Sequence, residues 1–198
     1  MIEKTVLGYL IAILAYVVAF GLTTFVIAPV QGLFLPEITV FASLMYLPHG
    51  IRILATWALG WRAVPALVLA NLAASALFVP DSTLEFLESA HAMGIFVGAV
   101  SAFAAFEISR ALGINLYFGG AQQINWKGIL SVGILASIIN SIGQSYVYGD
   151  LIALGDRLPV LMVYLLGDVI GLIACLIALM LVFRWQRLRG APKRRMDN

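Results

Sequence analysis

Charged side chains are scarce in this sequence. Only 11% of the 198 residues are charged, whereas 62% are apolar and the mean hydropathy is +1.00. Soluble domains carry about a quarter charged residues, and no stretch here is polar enough to form one. The composition therefore predicts an integral membrane protein whose partners are the lipid bilayer and other proteins, with no nucleic acid among them.

Cysteine and histidine are almost absent. Cys175 is the single cysteine, so the chain can form neither an internal disulfide nor a thiolate metal cluster. His49 and His91 are the two histidines, and His91 falls at a predicted helix end, which argues against a bis-histidine haem. No zinc-protease, nucleophile-elbow, phosphate-loop or dinucleotide pattern occurs. We therefore expect no enzyme activity, no cofactor and no metal site.

Long apolar runs are what the sequence has in quantity. A transmembrane helix needs about 20 apolar residues, and the runs that reach this length are 6–28, 36–59, 63–80, 90–109, 127–147 and 159–183. They predict an all-α polytopic bundle of about six transmembrane helices. We expect a single transmembrane domain over 1–183, with the first helix retained, and a basic cytoplasmic tail over 184–198.

Lys and Arg are unevenly distributed between the connections of these runs. One side holds Lys4, Arg62, Arg110, Lys127 and the basic tail, and the other holds only Arg157. Because basic residues mark the cytoplasmic side of a membrane protein, both termini are predicted to be cytoplasmic. The tail would lie near anionic lipid headgroups. The expected location is a membrane that the chain crosses several times.

Two fully ionised side chains, Arg52 and Asp168, fall inside apolar runs, where a charge is costly and needs a partner. We predict a polar ligand-binding cavity formed by His49, Arg52, Asn71, Asn140, Gln144 and Asp168. Alternatives remain for each part of it. The Arg52–Asp168 pair can be purely architectural, His49 can be a packing residue, and the stripe Ser137, Asn140, Ser141, Gln144 and Ser145 can hold helices together.

The stretch YLPHGIR, residues 46–52, predicts an interrupted helix. Pro48 lacks a backbone donor and disfavours helical geometry at Leu47. A helix that starts inside the membrane presents its amide groups to the protein interior and attracts anions. We therefore predict a helix break between Tyr46 and Gly50 that carries a positive site, with Asp168 as the countercharge.

Small residues recur at four-residue spacing in several runs, which is typical of closely packed membrane helices. The pattern includes Gly94 and Gly98, Gly167 and Gly171, and Ala15 and Ala19.

Two segments resemble the first Membrane-Associated Sensor domain family. The run from Tyr46 to Ser75 shows an aromatic residue, x-Pro-x-Gly, an apolar helix, a Gly-aromatic-Arg turn and a helix-opening Pro, and YLLGDVIG from Tyr164 resembles the closing helix of that family. The positions that match its pattern are Pro48, Gly50, Arg62, Pro65, Gly167 and Asp168. His49 and Arg52 fall outside that pattern.

The resemblance implies a bacterial inner-membrane sensory module. Members of that family usually have more spans and carry a kinase, cyclase or phosphodiesterase domain, so here a signal is expected to leave through another polypeptide. The alternatives are a substrate-binding subunit of a membrane transporter, which Ala15 and Ala19 on the first helix favour by analogy with energy-coupling transporters, and an accessory subunit of a larger membrane complex.

Overall fold

The computed structural model describes residues 2–34, 36–39, 43–79, 81–119, 126–149 and 157–190, and the regular structure within them is helical. The α-helices are α1 (Ile2–Leu22), α2 (Ala28–Gly32), α3 (Pro36–Thr39), α4 (Leu47–Leu59), α5 (Ala63–Phe78), α6 (Asp81–Ala111), α7 (Trp126–Val147) and α8 (Arg157–Gly190). A π-helical turn, Thr23–Ile27, joins α1 to α2, and a 3₁₀ turn, Gly60–Arg62, joins α4 to α5. The predicted all-α class is confirmed.

Five helical stretches in the described part of the chain are long and apolar enough to cross a membrane. They are Val6–Gly32, Leu47–Phe78, Ala90–Ala111, Trp126–Val147 and Leu158–Arg187. The predicted membrane class is therefore supported by length and apolarity.

The stretch Leu47–Phe78 folds back on itself at Gly60, which has φ +62° and ψ −139°. At one end of the stretch the hydroxyl of Tyr46 lies 3.4 Å from that of Tyr16. At the other end the ring of Phe78 stacks on Phe20, with centroids 6.3 Å apart. Both ends of the stretch therefore contact neighbouring turns of α1. It follows that α4 and α5 form an antiparallel hairpin.

Helix α4 is short and begins inside the bundle. Its 13 residues span about 20 Å at 1.5 Å per residue, less than the ~30 Å of a bilayer core. Tyr46, with φ −92° and ψ 85°, is not helical, and Pro48 occupies the first turn, where the missing amide costs nothing. The predicted interruption of the apolar run 36–59 is confirmed at Tyr46, and α4 begins at the next residue.

Helix α4 occupies the centre of the bundle, with contacts to α1, α5, α6, α7 and α8. One buried cluster, which includes Tyr16, Leu67 and Ala70, joins α1 to the α4–α5 hairpin. A second cluster joins α4 to α6, α7 and α8 through Ile53, Ala102, Phe106, Val132 and Leu172. The buried side chains of α4 are therefore packed against the helices that surround it.

The connection after α6 packs against the end of the bundle at which α4 ends. The amide of Phe118 donates to the carbonyl of Trp57 at 2.9 Å, and their rings meet edge to face. The Tyr117 hydroxyl donates to Glu107 at 2.8 Å. Burial, together with this hydrogen bond, raises the pKa of the Tyr117 phenol above its usual value. This connection therefore lies against the bundle.

Helix α8 continues to Gly190, beyond the predicted end of the last span at residue 183. The first part of the predicted tail is therefore helical, and the Arg189 guanidinium lies 3.5 Å from the centre of the Trp185 ring. Residues 191–198 of that tail lie outside the described residues.

Candidate polar cavity

A cavity of about 380 Å³ lies at the end of the bundle where α5 and α7 end and α6 and α8 begin. We call it the polar cavity. Five of the predicted site residues line it, and these are Arg52, Asn71, Asn140, Gln144 and Asp168. Histidine His91 also lines it, as do the aromatic residues Phe20, Tyr46, Phe78, Tyr148 and Tyr164. Five of the six residues that the sequence predicted for one site therefore line the same cavity.

Asp168 is the acidic residue of the polar cavity and is only 1% exposed. The amide Nδ2 of Asn140 donates to its Oδ2 at 2.8 Å. Gln144 supports Asn140 from the next turn, because its Nε2 lies 3.3 Å from Asn140 Oδ1 and also donates to the Gly94 carbonyl at 2.9 Å. Asp168 therefore faces the polar stripe of α7, as the sequence predicted.

His49 lies beside Asp168 and is fully buried. Its Nε2 is 3.2 Å from the Gly133 carbonyl oxygen, and its Nδ1 is 3.2 Å from Asp168 Oδ2. A carbonyl oxygen only accepts hydrogen bonds, so Nε2 carries a proton. Nδ1 is within ion-pair distance of the carboxylate but is not aligned with it as a hydrogen bond. The sequence does not indicate this pair, because His49 stands three residues before Arg52 and belongs with it to the predicted positive site.

Arg52 is 2% exposed and is held by two tyrosines. Its Nη2 donates to the hydroxyls of Tyr16 at 3.0 Å and Tyr46 at 3.3 Å. Its Nη1 is buried and has no hydrogen-bond partner. Tyr16 gave no signal in the sequence, because its aromatic ring suits an apolar run and its hydroxyl reaches Arg52 only through the fold.

The predicted Arg52–Asp168 countercharge pair is not formed. The ion pairs among the described residues are His49–Asp168 and Arg110–Glu107, so no carboxylate there lies within 4 Å of the Arg52 guanidinium. Three residues along a helix turn the side-chain direction by about 300°, which leaves His49 and Arg52 ~60° apart. Since α4 lies between α8 and α1, that angle directs His49 to α8 and Arg52 to α1.

Two further residues shape the surroundings of Arg52. A β-carbon at Gly98 of α6 would lie 2.7 Å from Nη2, so the glycine leaves room for the guanidinium at its observed position. Asn71 of α5 lines the same cavity, and its Oδ1 accepts a hydrogen bond from Ser75 at 3.4 Å.

The chain matches no known protein family, no curated protein and no solved structure. The resemblance to the sensor domain family therefore stays a prediction. What the site can do has to be read from its geometry.

The geometry provides one buried cation with a free donor, one buried carboxylate with its own donors, and aromatic walls. Among the described residues no group of three His, Cys, Asp or Glu side chains could hold a metal ion. The arrangement can therefore bind a polar or charged small molecule through Arg52, with apolar contacts from the aromatic side chains.

Proposed function

We propose that this protein is a membrane-embedded sensor module that binds a small molecule in the polar cavity and acts through a separate partner protein. The observation that carries the proposal is Arg52, a buried cation that lines the cavity with Nη1 unpartnered. The ligand would supply the acceptor that the described residues do not.

Energetics favours this interpretation of Arg52 over a purely architectural one. A charged side chain inside a membrane costs about 2.5–3.5 kcal/mol on insertion scales, and an unsatisfied buried donor costs about 1–3 kcal/mol. An architectural arginine reduces both costs with a carboxylate, whereas Arg52 contacts two neutral hydroxyls. Such a cost is understandable at a binding site, where the ligand offsets it.

We further propose that the bundle crosses a bacterial inner membrane six times, with α4 and α5 as separate crossings and both termini cytoplasmic. The reversal at Gly60 supports counting the hairpin twice. The basic residues Arg62, Arg110 and Lys127 support the orientation. In this topology the polar cavity lies toward the outer side of the membrane and would receive its ligand from there.

Ligand screening tests the binding function. The protein in lipid nanodiscs is heated with a library of small acids, amines, sugars and amides, and thermal unfolding is recorded. A ligand that binds the folded state raises the unfolding temperature. We expect at least one compound to stabilise the wild type and not Arg52→Met, while Arg62→Met, at an exposed turn position, responds like the wild type. Equal responses of the two variants to every compound would contradict the proposal.

The partner distinguishes the sensor from its alternatives. Gentle solubilisation followed by mass spectrometry should show a kinase, cyclase or similar signalling protein with the chain. An ATPase module would instead identify a substrate-binding subunit of a transporter. A large respiratory or secretory complex without a bound small molecule would identify an accessory subunit.

A further inference from the structure

We propose that the polar cavity takes an organic monocarboxylate on Arg52, and that each carboxylate binds together with one proton, which His49 accepts beside Asp168. This inference rests on the proposed function and names the chemical class of its ligand. It assigns different tasks to the two charged groups of the cavity.

The carboxylate follows from the donors of Arg52. A guanidinium N–H group donates a strong, charge-assisted hydrogen bond to a carboxylate oxygen. Nη2 already donates to Tyr16 and Tyr46, whereas Nη1 is unpartnered. Among the described residues no carboxylate lies within ion-pair distance of Arg52. A ligand carboxylate beside Nη1 would therefore pair with an arginine that has no other carboxylate partner there.

The body of the ligand follows from the rest of the lining. Phe20, Phe78, Ile95 and Ala28 provide apolar surface in the same cavity as the guanidinium. A volume of about 380 Å³ suits a small organic molecule. The cavity therefore fits a carboxylate attached to an apolar group better than an inorganic anion.

The proton follows from charge balance. In the proposed ligand-free state Arg52 is positive, Asp168 is negative and His49 is neutral with its hydrogen on Nε2, so the three side chains carry no net charge. A bound carboxylate adds a negative charge in a medium of low dielectric constant, where an uncompensated charge is costly. A proton from water restores neutrality.

His49 offers one place for that proton. Nε2 already holds a hydrogen for the Gly133 carbonyl, so an added proton goes to Nδ1. Nδ1 has no hydrogen-bond partner and lies 3.2 Å from Asp168 Oδ2. Protonation makes His49 an imidazolium that pairs with the carboxylate of Asp168: the Nδ1–H bond forms as the bond to hydrogen in a proton donor of the aqueous phase, hydronium or buffer acid, breaks.

The other groups around this pair are less suited to gain the proton. Arg52 is already charged, and His91 has no carboxylate within ion-pair distance among the described residues. Helix α5 contributes no titratable side chain to the cavity. Among the described residues, the titratable groups that face the pair or line the cavity are Tyr16 of α1, Tyr46 and Arg52 at α4, His91 of α6, Tyr148 of α7, and Tyr164 and Cys175 of α8.

Carboxylates paired with their primary amides test the inference. The probes are acetate, butyrate, benzoate and phenylacetate as sodium salts, each compared with its amide between about pH 6 and about pH 8, where the acids stay ionised. We expect a carboxylate to bind the wild type more tightly than its amide. Its Kd should rise about tenfold per pH unit, as linkage to one proton requires, and calorimetry in buffers of different ionisation enthalpy should show one proton taken up.

Three variants identify the proton site. Asp168→Asn should bind the carboxylate without proton uptake and without the pH dependence, because Arg52 alone then balances the ligand. His49→Gln should bind the carboxylate more weakly and without the pH dependence, because one negative charge stays uncompensated. If Asp168→Asn fails to fold, His49→Gln alone carries this step. His91→Gln removes the other cavity histidine and should retain the wild-type pH dependence. A pH dependence that is kept in His49→Gln, or lost in His91→Gln, would overturn the assignment of the proton.

The inference that the ligand is a carboxylate can be disproved separately from the proposed binding function. If none of these carboxylates binds the wild type more tightly than its amide, the inference is wrong. A different class of compound that stabilises the wild type through Arg52 in the library screen would still support the binding function.

Discussion

The backbone amide of Tyr46 donates a hydrogen bond to the carbonyl oxygen of Gly167, with N and O 2.9 Å apart. The contact joins the non-helical segment before α4 directly to helix α8. A β-carbon at Gly167 would collide with the Ser43 carbonyl, and one at Gly171 with the Tyr46 carbonyl. The two glycines therefore let α8 satisfy a backbone group that the interrupted helix leaves free, as a membrane interior requires.

Gly167→Ala should destabilise the bundle. The added methyl group meets backbone atoms, which cannot rotate away, and overpacking of this kind costs about 1–3 kcal/mol. Unfolding in nanodiscs, by heat or denaturant, measures the loss. Gly32→Ala is the matched control, because nothing lies within 4 Å of a β-carbon there. If both variants unfold alike, the close contact between α8 and the segment before α4 is wrong.

The Asn140–Asp168 hydrogen bond should appear as a coupling in a double-mutant cycle. A hydrogen bond to a charged group contributes about 1.5–3 kcal/mol, so Asn140→Ala and Asp168→Ala should each destabilise, and together by less than their sum. Stability is measured by unfolding of the two single variants and the double variant. Ile142→Ala, on the exposed face of α7, should be additive with Asp168→Ala. Additivity of Asn140→Ala with Asp168→Ala would show that the two side chains do not interact.

The sequence predicted that Asn140, Gln144 and Asp168 share one polar cavity, because they are polar residues in long apolar helices, where spacing and depth are regular. It did not predict the partners of His49 and Arg52. Those depend on where α4 begins, and a proline in a short motif places a helix start only within a few residues. A difference of about 60° in direction then decides which neighbouring helix each side chain meets.

The fold, like the site, was predictable in part. Apolar runs of sufficient length gave the helices, and Pro48 gave the break. The hydrogen bond from Tyr46 to Gly167 was not predictable, because the glycine spacing in α8 indicated contact with another helix, whereas Gly167 meets the non-helical segment before α4.

Gly60→Ala should destabilise the α4–α5 hairpin. Gly60 has φ +62° and ψ −139°, a region that is almost exclusive to glycine, and a side chain there costs about 1–3 kcal/mol. Gly60→Asn should not rescue the loss, since asparagine tolerates positive φ mainly with ψ near about +47°. Thermal unfolding measures both variants, with Gly32→Ala again as the control. A Gly60→Ala protein of wild-type stability would argue against the sharp reversal at this residue.

Reporter fusions should show that α4 and α5 cross the membrane separately. With the N-terminus cytoplasmic, six crossings place Val79 outside and Gly113 inside, whereas a single crossing by Leu47–Phe78 reverses both positions. Alkaline phosphatase, which is active only outside the cytoplasm, should therefore be active when fused after Val79 and inactive when fused after Gly113. A fusion after Gly32 should be active under either count and serves as the control. The opposite pattern at Val79 and Gly113 would mean one crossing, which would conflict with the contacts of Tyr46 and Phe78 on adjacent turns of α1.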